Sequence, residues 1–213
     1  MIYIIITTCI NINTIYCNNN YYYNKINRDN RYIECIKQLL DFVNGDENIK
    51  PIIVENGGLR ETYMNNFNCD IFYTNNNSFG FIHKGFNELL DIKNVIEKYN
   101  ILDDDIIIKL TGRYKLLNND FINIVKNNNK DAYVKFFDVC TNKFMHNAAI
   151  LGLYAIKCKY HKNFNYDGTT SKSAEIEFAE YVRENIDKNN LMEITNLNLE
   201  YCLYNDERNL LIV

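Results

Sequence analysis

Apolar and polar residues alternate along this chain in blocks whose spacing names the elements. The opening "MIYIIITTCI" is a run of β-branched residues that turns polar at Thr7 and Thr8, the pattern of a buried first strand. The stretch Asn18 to Asn30 is polar with interleaved tyrosines and reads as a loop. "RYIECIKQLLDFV" then sets Ile33, Ile36, Leu40 and Val43 at helical spacing, with Gly45 as the stop. "KPIIVENGG", opened by the sole proline, and "CDIFYTNNN" are short apolar runs closed by turn-formers, so both read as strands. From Lys84, "KGFNELLDIKNVIEKYN" returns to a 3.6 period through Leu89, Ile92, Val95, Ile96 and Tyr99, and leads into the strand "DIIIKL". A short helix in "NNDFINIVKN", a strand in "DAYVKFFDV" and a helix in "SAEIEFAEYVRENI", with Ile176, Ala179, Tyr181 and Val182 inward, precede a last extended run, "LMEITNLNLEYCLY".

Strands alternating with helices predict βαβ units: one Rossmann-like α/β domain over residues 1–213, its sheet mostly parallel and covered by helices on both faces. Ligands in such sheets bind beyond the carboxyl ends of the strands. Four predicted strand ends are polar here: Thr7 and Thr8, Glu55 and Asn56, Thr74 to Asn76, and Thr111 to Arg113. Together they define one rim. No internal repeat and no Gly-, Pro- or Ser-rich linker divides the chain.

Composition narrows the function classes. Hydrophobic residues make up 47% and charged residues 23%, ordinary globular usage. A net charge of −4 and the lack of a basic stripe argue against a nucleic-acid partner. The 7 cysteines are scattered without a CxxC pair, which suits reduced thiols in a cytoplasmic setting better than a disulfide framework. The apolar start lacks a basic leader and a cleavage site, and no segment is long enough to span a bilayer. HExxH, GxSxG and Walker-type strings are absent, so zinc hydrolase, serine hydrolase and P-loop chemistry have no support. The composition, rich in Asn, Ile, Lys and Tyr, is similar to that of giant DNA viruses of amoebae, which would place the protein in the host cytoplasm or a virus factory.

"DDDIIIKLTGRY", Asp103 to Tyr114, resembles a segment of small bacterial and viral GT-A-type nucleotide-sugar glycosyltransferases. The chain is similar to these proteins also in "ITT" after the first strand, "VEN" after the second, "YTNNN" after the third and "KG" opening the next helix. The resemblance covers residues 1–115 and implies a nucleotide-sugar-binding half there, with an acceptor and catalytic half in 116–213. It implies a nucleotide-sugar donor, UDP-linked by preference, and a glycan acceptor. One departure is plain: where GT-A enzymes carry an Asp-x-Asp motif for a divalent metal, this chain reads Thr111-Gly112-Arg113. A metal, Mn or Mg, therefore stays an open alternative, and no residue is assigned to it. Asp103 to Asp105 precede the strand, and six residues at about 3.3 Å each place them at the opposite sheet edge, as a turn.

The rim supplies the candidate site. Lys109 and Arg113 offer positive charge to a diphosphate, and Gly112 allows close backbone approach. Glu55 and Asn56 stand where the resemblance puts the nucleobase and ribose, with Thr7, Thr8, Asn76 and Thr111 beside them. Lys84 and Gly85 open a helix whose free N–H groups suit an anion, and Arg28 and Arg31 precede another. Inverting transfer needs a carboxylate base. The resemblance looks for one at the start of a late helix, where Ser173 is the cap, Glu175 lies in the first turn and Glu177 falls on the other side. Asp138 and His146 are the next candidates. Against the enzyme stand two other readings: an inactive nucleotide-sugar or glycan-binding module of the same fold, and a nucleotide-binding regulator of the doubly wound type.

Overall fold

The computed structural model describes residues 1–10, 21–78, 85–139, 142–166, 172–202 and 210–213; for residues 21–27 it describes the backbone alone. A seven-stranded sheet runs through the middle in the order β3-β2-β1-β4-β7-β6-β8. Its strands are β1 (Ile2–Thr8), β2 (Ile49–Glu55), β3 (Asp70–Tyr73), β4 (Ile106–Thr111), β6 (Ala132–Val134), β7 (Leu153–Lys157) and β8 (Leu191–Glu193). β3, β2, β1 and β4 are mutually parallel, and β6 is parallel to β8. β7 runs antiparallel between β4 and β6. The register puts the strand ends level: Thr8 opposite Glu55, Glu55 opposite Tyr73 and Thr7 opposite Thr111. That shared level is the polar rim, and it follows from a register in which the apolar runs of neighbouring strands turn polar side by side.

Alternate residues of each buried strand feed two cores. Ile4, Ile6, Ile53, Ile108 and Leu110 meet α1 (Tyr21–Val43) and α3 (Asp120–Asn127) on one face. Ile5, Ile52, Val54 and Ile107 meet α2 (Gly85–Tyr99) and α5 (Ala174–Asn185) on the other, with the short α4 (Cys158–Asn163) beside them. A small antiparallel sheet of β5 (Lys115–Leu116), β9 (Leu199–Cys202) and β10 (Leu210–Ile212) closes the α1 side. The mostly parallel sheet with helices on both faces is the α/β architecture expected from the pattern.

Three local expectations change. The stretch read as a loop is helical from Tyr21, and α1 is 23 residues long. Its polar turns are held by tertiary partners: Arg28 Nε donates to the Cys9 carbonyl, and Tyr63 Oη donates to Asp29 at 3.0 Å. Ile36 and Val43 face the core as expected and Leu40 packs at its edge, but Ile33 faces solvent, and Tyr32, Cys35 and Leu39 complete the buried stripe. β7, in the segment around "LGLYAI", lacked turn signals and was not predicted as a strand. It is buried on both faces and therefore carries no alternation to read.

Candidate functional site

At the level rim a cavity of about 280 Å³ opens between the strand ends, the start of α2, the start of α5 and the middle of α1. Its floor is a buried charge cluster. Lys109, on β4, is 1% exposed and ion-paired with Glu88 of α2. The Lys109 ammonium also donates to Thr111 Oγ1 and to the Leu151 carbonyl, each at 2.5 Å, and Thr111 Oγ1 donates to Glu88 at 3.1 Å. Burial disfavours the Glu88 carboxylate, but the Lys109 charge outweighs it and holds the group below its usual range. Burial likewise pulls the Lys109 ammonium down, opposed by Glu88. The Lys109 charge expected for a diphosphate is thus matched within the protein, and Lys109 acts as an anchor between β4 and α2 while still lining the cavity.

One side is basic and aromatic. Arg113 and Arg28, both buried, line the cavity with Tyr32, Tyr114 and Tyr201. Arg28 Nε donates to the Cys9 carbonyl at 3.3 Å, and its guanidinium lies 5.3 Å from the Tyr32 ring centre. The Arg113 guanidinium lies 5.1 Å from the Tyr114 ring. Gly112 does permit a close approach, but to the protein itself: a Cβ there would meet Thr8 Cγ2 at 2.9 Å and Ile6 Cγ2 at 3.1 Å. Gly152 does the same for the Tyr114 ring, 2.6 Å from such a Cβ. Arg31 points elsewhere, donating to the Arg113 carbonyl at 3.0 Å and pairing with Glu200 at 2.5 Å.

A second part of the lining is neutral and rich in oxygen. Thr7, Asn56 and Asn87 form it, and all three are buried. Behind Asn56, Asp91 of α2 accepts from Asn56 Nδ2 at 2.6 Å, Asn76 Nδ2 at 2.7 Å and Thr74 Oγ1 at 3.0 Å. Asn76, expected in the site, thus stands behind the wall. Burial pushes the Asp91 carboxyl up to about 7 against the pull of those donors. Glu55, expected to meet a nucleobase or ribose, is fully buried and turned inward. Its carboxylate accepts from Thr8 Oγ1 at 2.7 Å and from the backbone N–H groups of Ile10 and Gly57, each at 3.0 Å at closest. It holds the chain leaving β1 against the chain leaving β2, while Thr8 stays in the cavity lining.

The last side is the start of α5. Gly85 packs so tightly there that a Cβ on it would meet Ala174 Cβ at 2.8 Å. Ser173 is the N-cap residue, though without a side-chain hydrogen bond, and Glu175 in the first turn is half-buried and lines the cavity. Glu177 is not among the lining residues, as the helical rotation predicted. Lys84 lies outside the described residues. His146 is exposed; His161 is buried against Tyr154 at 3.4 Å, where burial pulls it down to about 3, and neither lines the cavity. Asp103 and Asp105 form the expected turn at the other end of β4, paired with Lys162 at 2.5 Å and the chain's amino group at 3.0 Å.

The pattern reading missed Glu88, Asn87, Asp91, Tyr114 and Tyr201. A signal existed for part of this: Asn87, Asp91 and Asn94 recur at i, i+4 and i+7 beside the apolar stripe of α2, a polar seam at helical spacing. Among the described residues, no three His, Cys, Asp or Glu side chains stand close enough to hold a metal ion. The carboxylates among the described lining residues are Glu88, tied to Lys109, and Glu175. These residues do not fit a divalent metal. No helix among the described residues is long and apolar enough to cross a membrane.

No family model matches the sequence, and no curated protein does. Solved structures do match the fold. A protein of Desulfovibrio desulfuricans G20 described as a nucleotide-diphospho-sugar transferase superposes with a TM-score of 0.56 at 9% identity, over 91% of this chain and 79% of its own. TarS of S. aureus, residues 1–349, superposes with a TM-score of 0.54 at 11% identity, over 91% of this chain. This chain spans 58% of that TarS fragment. At such identities the likeness is one of fold, and the fold is of the GT-A type.

Proposed function

We propose that the protein is a glycosyltransferase, moving a sugar from a nucleoside diphosphate, UDP by preference, to a glycan or glycoconjugate acceptor. The observation that carries this reading is one cavity at the carboxyl ends of parallel strands that joins two buried arginines, a neutral oxygen-rich wall and a half-buried carboxylate on a helix start. The three parts suit the three parts of the reaction. Arg28 and Arg113 meet the diphosphate; a guanidinium fork on phosphate oxygens is stronger than a neutral hydrogen bond and stabilises the leaving charge. Thr7, Asn56 and Asn87 meet the nucleoside. Glu175 takes the proton of the acceptor hydroxyl as the new glycosidic bond forms and the nucleoside diphosphate departs. Gly85, packed on Ala174, keeps α5 and Glu175 close to the arginines.

In this reading the donor is held without a metal, because the positive charge comes from side chains, Glu88 is tied to Lys109 and Glu175 is kept for the acceptor. UDP titrated in excess EDTA and then in manganese should bind alike; a hundredfold dependence on manganese would overturn metal-free binding. The enzyme reading is tested by incubation with a panel of nucleotide sugars and assay of free nucleoside diphosphate. Glu175→Gln should keep donor affinity and lower transfer by about 10²–10⁴, with Glu177→Gln as the near-neutral control. Nucleotide binding without turnover on any donor and acceptor would instead identify a binding module of the same fold, a reading that the inward-turned Glu55 and internally matched Lys109 favour.

A further inference from the structure

The Asp91 carboxylate sits behind the cavity with both oxygens engaged. Oδ1 accepts from Thr74 and Asn76, and Oδ2 accepts from Asn56 Nδ2 at 2.6 Å. An ionised carboxylate has no hydrogen to donate, so above about pH 7, where Asp91 loses its proton, the Asn56 amide is held one way round, its NH2 on Asp91 and its carbonyl oxygen turned away. That oxygen is buried and has no hydrogen-bond partner among the described residues. Two further buried oxygens in the same cavity lining, Thr7 Oγ1 and Asn87 Oδ1, share this condition. Buried acceptors are rarely left unmet, since each forfeits its hydration for nothing. The two amide oxygens, both on residues of one cavity lining, point to a ligand that donates, and the Thr7 hydroxyl can donate or accept. Asn87 is oriented in the same sense, with its Nδ2 turned to Asn77 Oδ1 at 3.5 Å.

We propose that Asp91 is a positioning residue for nucleotide choice: by locking Asn56 with its carbonyl oxygen toward the cavity, it makes the wall accept a ring N–H and reject a bare ring acceptor. The proposal rests on the nucleotide-sugar reading of the cleft and adds which base the wall admits. Uracil presents an N–H at ring position 3, and cytosine presents an unprotonated nitrogen there. The discrimination comes from Asp91 through Asn56, since Asp91 itself is fully buried and is not among the residues lining the cavity.

Asp91→Asn is a test with a specific outcome. The new side chain keeps its shape, and its carbonyl oxygen still serves Thr74 and Asn76. Its NH2, however, replaces the oxygen that faced Asn56, so Asn56 must turn over and present NH2 to the cavity. In the ligand-free wild type, ¹⁵N NMR should show the Asn56 side-chain NH2 protected from hydrogen exchange, with protection lost or the resonance moved in Asp91→Asn. Exchange of the wild-type NH2 at the rate of a solvated amide would overturn the lock whatever the protein binds. Calorimetry with UDP and with CDP then reads the choice. Wild type should favour UDP by tenfold or more, Asp91→Asn should reduce or invert that ratio by a similar factor, and on an Asn56→Ala background Asp91→Asn should leave the ratio unchanged. Equal weakening of both nucleotides would mean that Asp91 merely supports the fold, and would sink the proposal. If wild type binds neither nucleotide, the nucleotide reading fails, and with it the base preference, while the exchange measurement still decides whether Asp91 holds Asn56.

Discussion

The strand β4 is 6 residues long, and its two ends carry opposite solutions to the same problem. At its start, Asp103 and Asp105 lie in a turn, where Asp103 is exposed to solvent and its ion pair with Lys162 is a surface one. At its end, Lys109 and Arg113 are buried, and their charges are met by Glu88, Thr111, the Leu151 carbonyl and a ring of tyrosines. Charge at a surface turn costs almost nothing and needs no construction. Charge inside is expensive and persists only where partners are arranged around it, which is the mark of a site. The contrast teaches which of two equally charged stretches in one short segment to examine for chemistry.

Among substitutions, breaking the buried end should have the largest effect. Lys109→Met removes the partner of Glu88 and leaves a partly solvated carboxylate, 32% exposed, so unfolding in urea should show a loss of about 2–3 kcal/mol. A loss under 1 kcal/mol would mean that water reaches Glu88 and that the cluster is less built than its geometry indicates.

Asp91 extends the buried region toward a pH effect. Its folded value, about 7, lies above the ordinary 3.8, so the folded state binds the proton more tightly than the unfolded chain does. Its contribution is therefore fully present below about pH 4 and is lost as pH rises to about 7. A shift of that size corresponds to on the order of 4 kcal/mol. Urea unfolding at several pH values gives the slope, and a carbon-detected NMR titration of Asp91 assigns it. A carboxyl that titrates near 4 would show that its three donors offset burial.

Arg113→Ala sharpens the comparison from the ligand side. Losing a charge-assisted contact should weaken UDP binding by about tenfold to a hundredfold. Unchanged affinity by calorimetry would remove Arg113 from the diphosphate site and leave Arg28 as the candidate. The smallest effect belongs to the far end: Asp103→Asn should alter stability by less than about 0.5 kcal/mol and leave binding untouched. A larger change would erase the distinction between the two ends.

The pattern of β-branched runs, each ending in Thr, Glu-Asn or Thr-Gly-Arg, determined the class of fold, the parallel sheet and the rim, because strand burial and strand ends are local properties. Glu175 inside and Glu177 outside the cavity lining followed from the turn of one helix. Other properties were not local. Glu55 and Asn56 are neighbours at one strand end, yet Glu55 turns inward to hold the loop after β1, and Asn56 faces the cavity. Lys109 looked like a ligand-facing cation until α2 delivered Glu88 to it, across a separation of 21 residues that no spacing rule spans. Arg28, Tyr114 and Tyr201 come from α1, the turn after β4 and β9, and they meet only because the small sheet folds back over α1. The sequence by itself specified which residues reach the rim. Tertiary packing decided which of them keep a free face, since in a buried site a side chain's role is set by the partner that the fold places beside it.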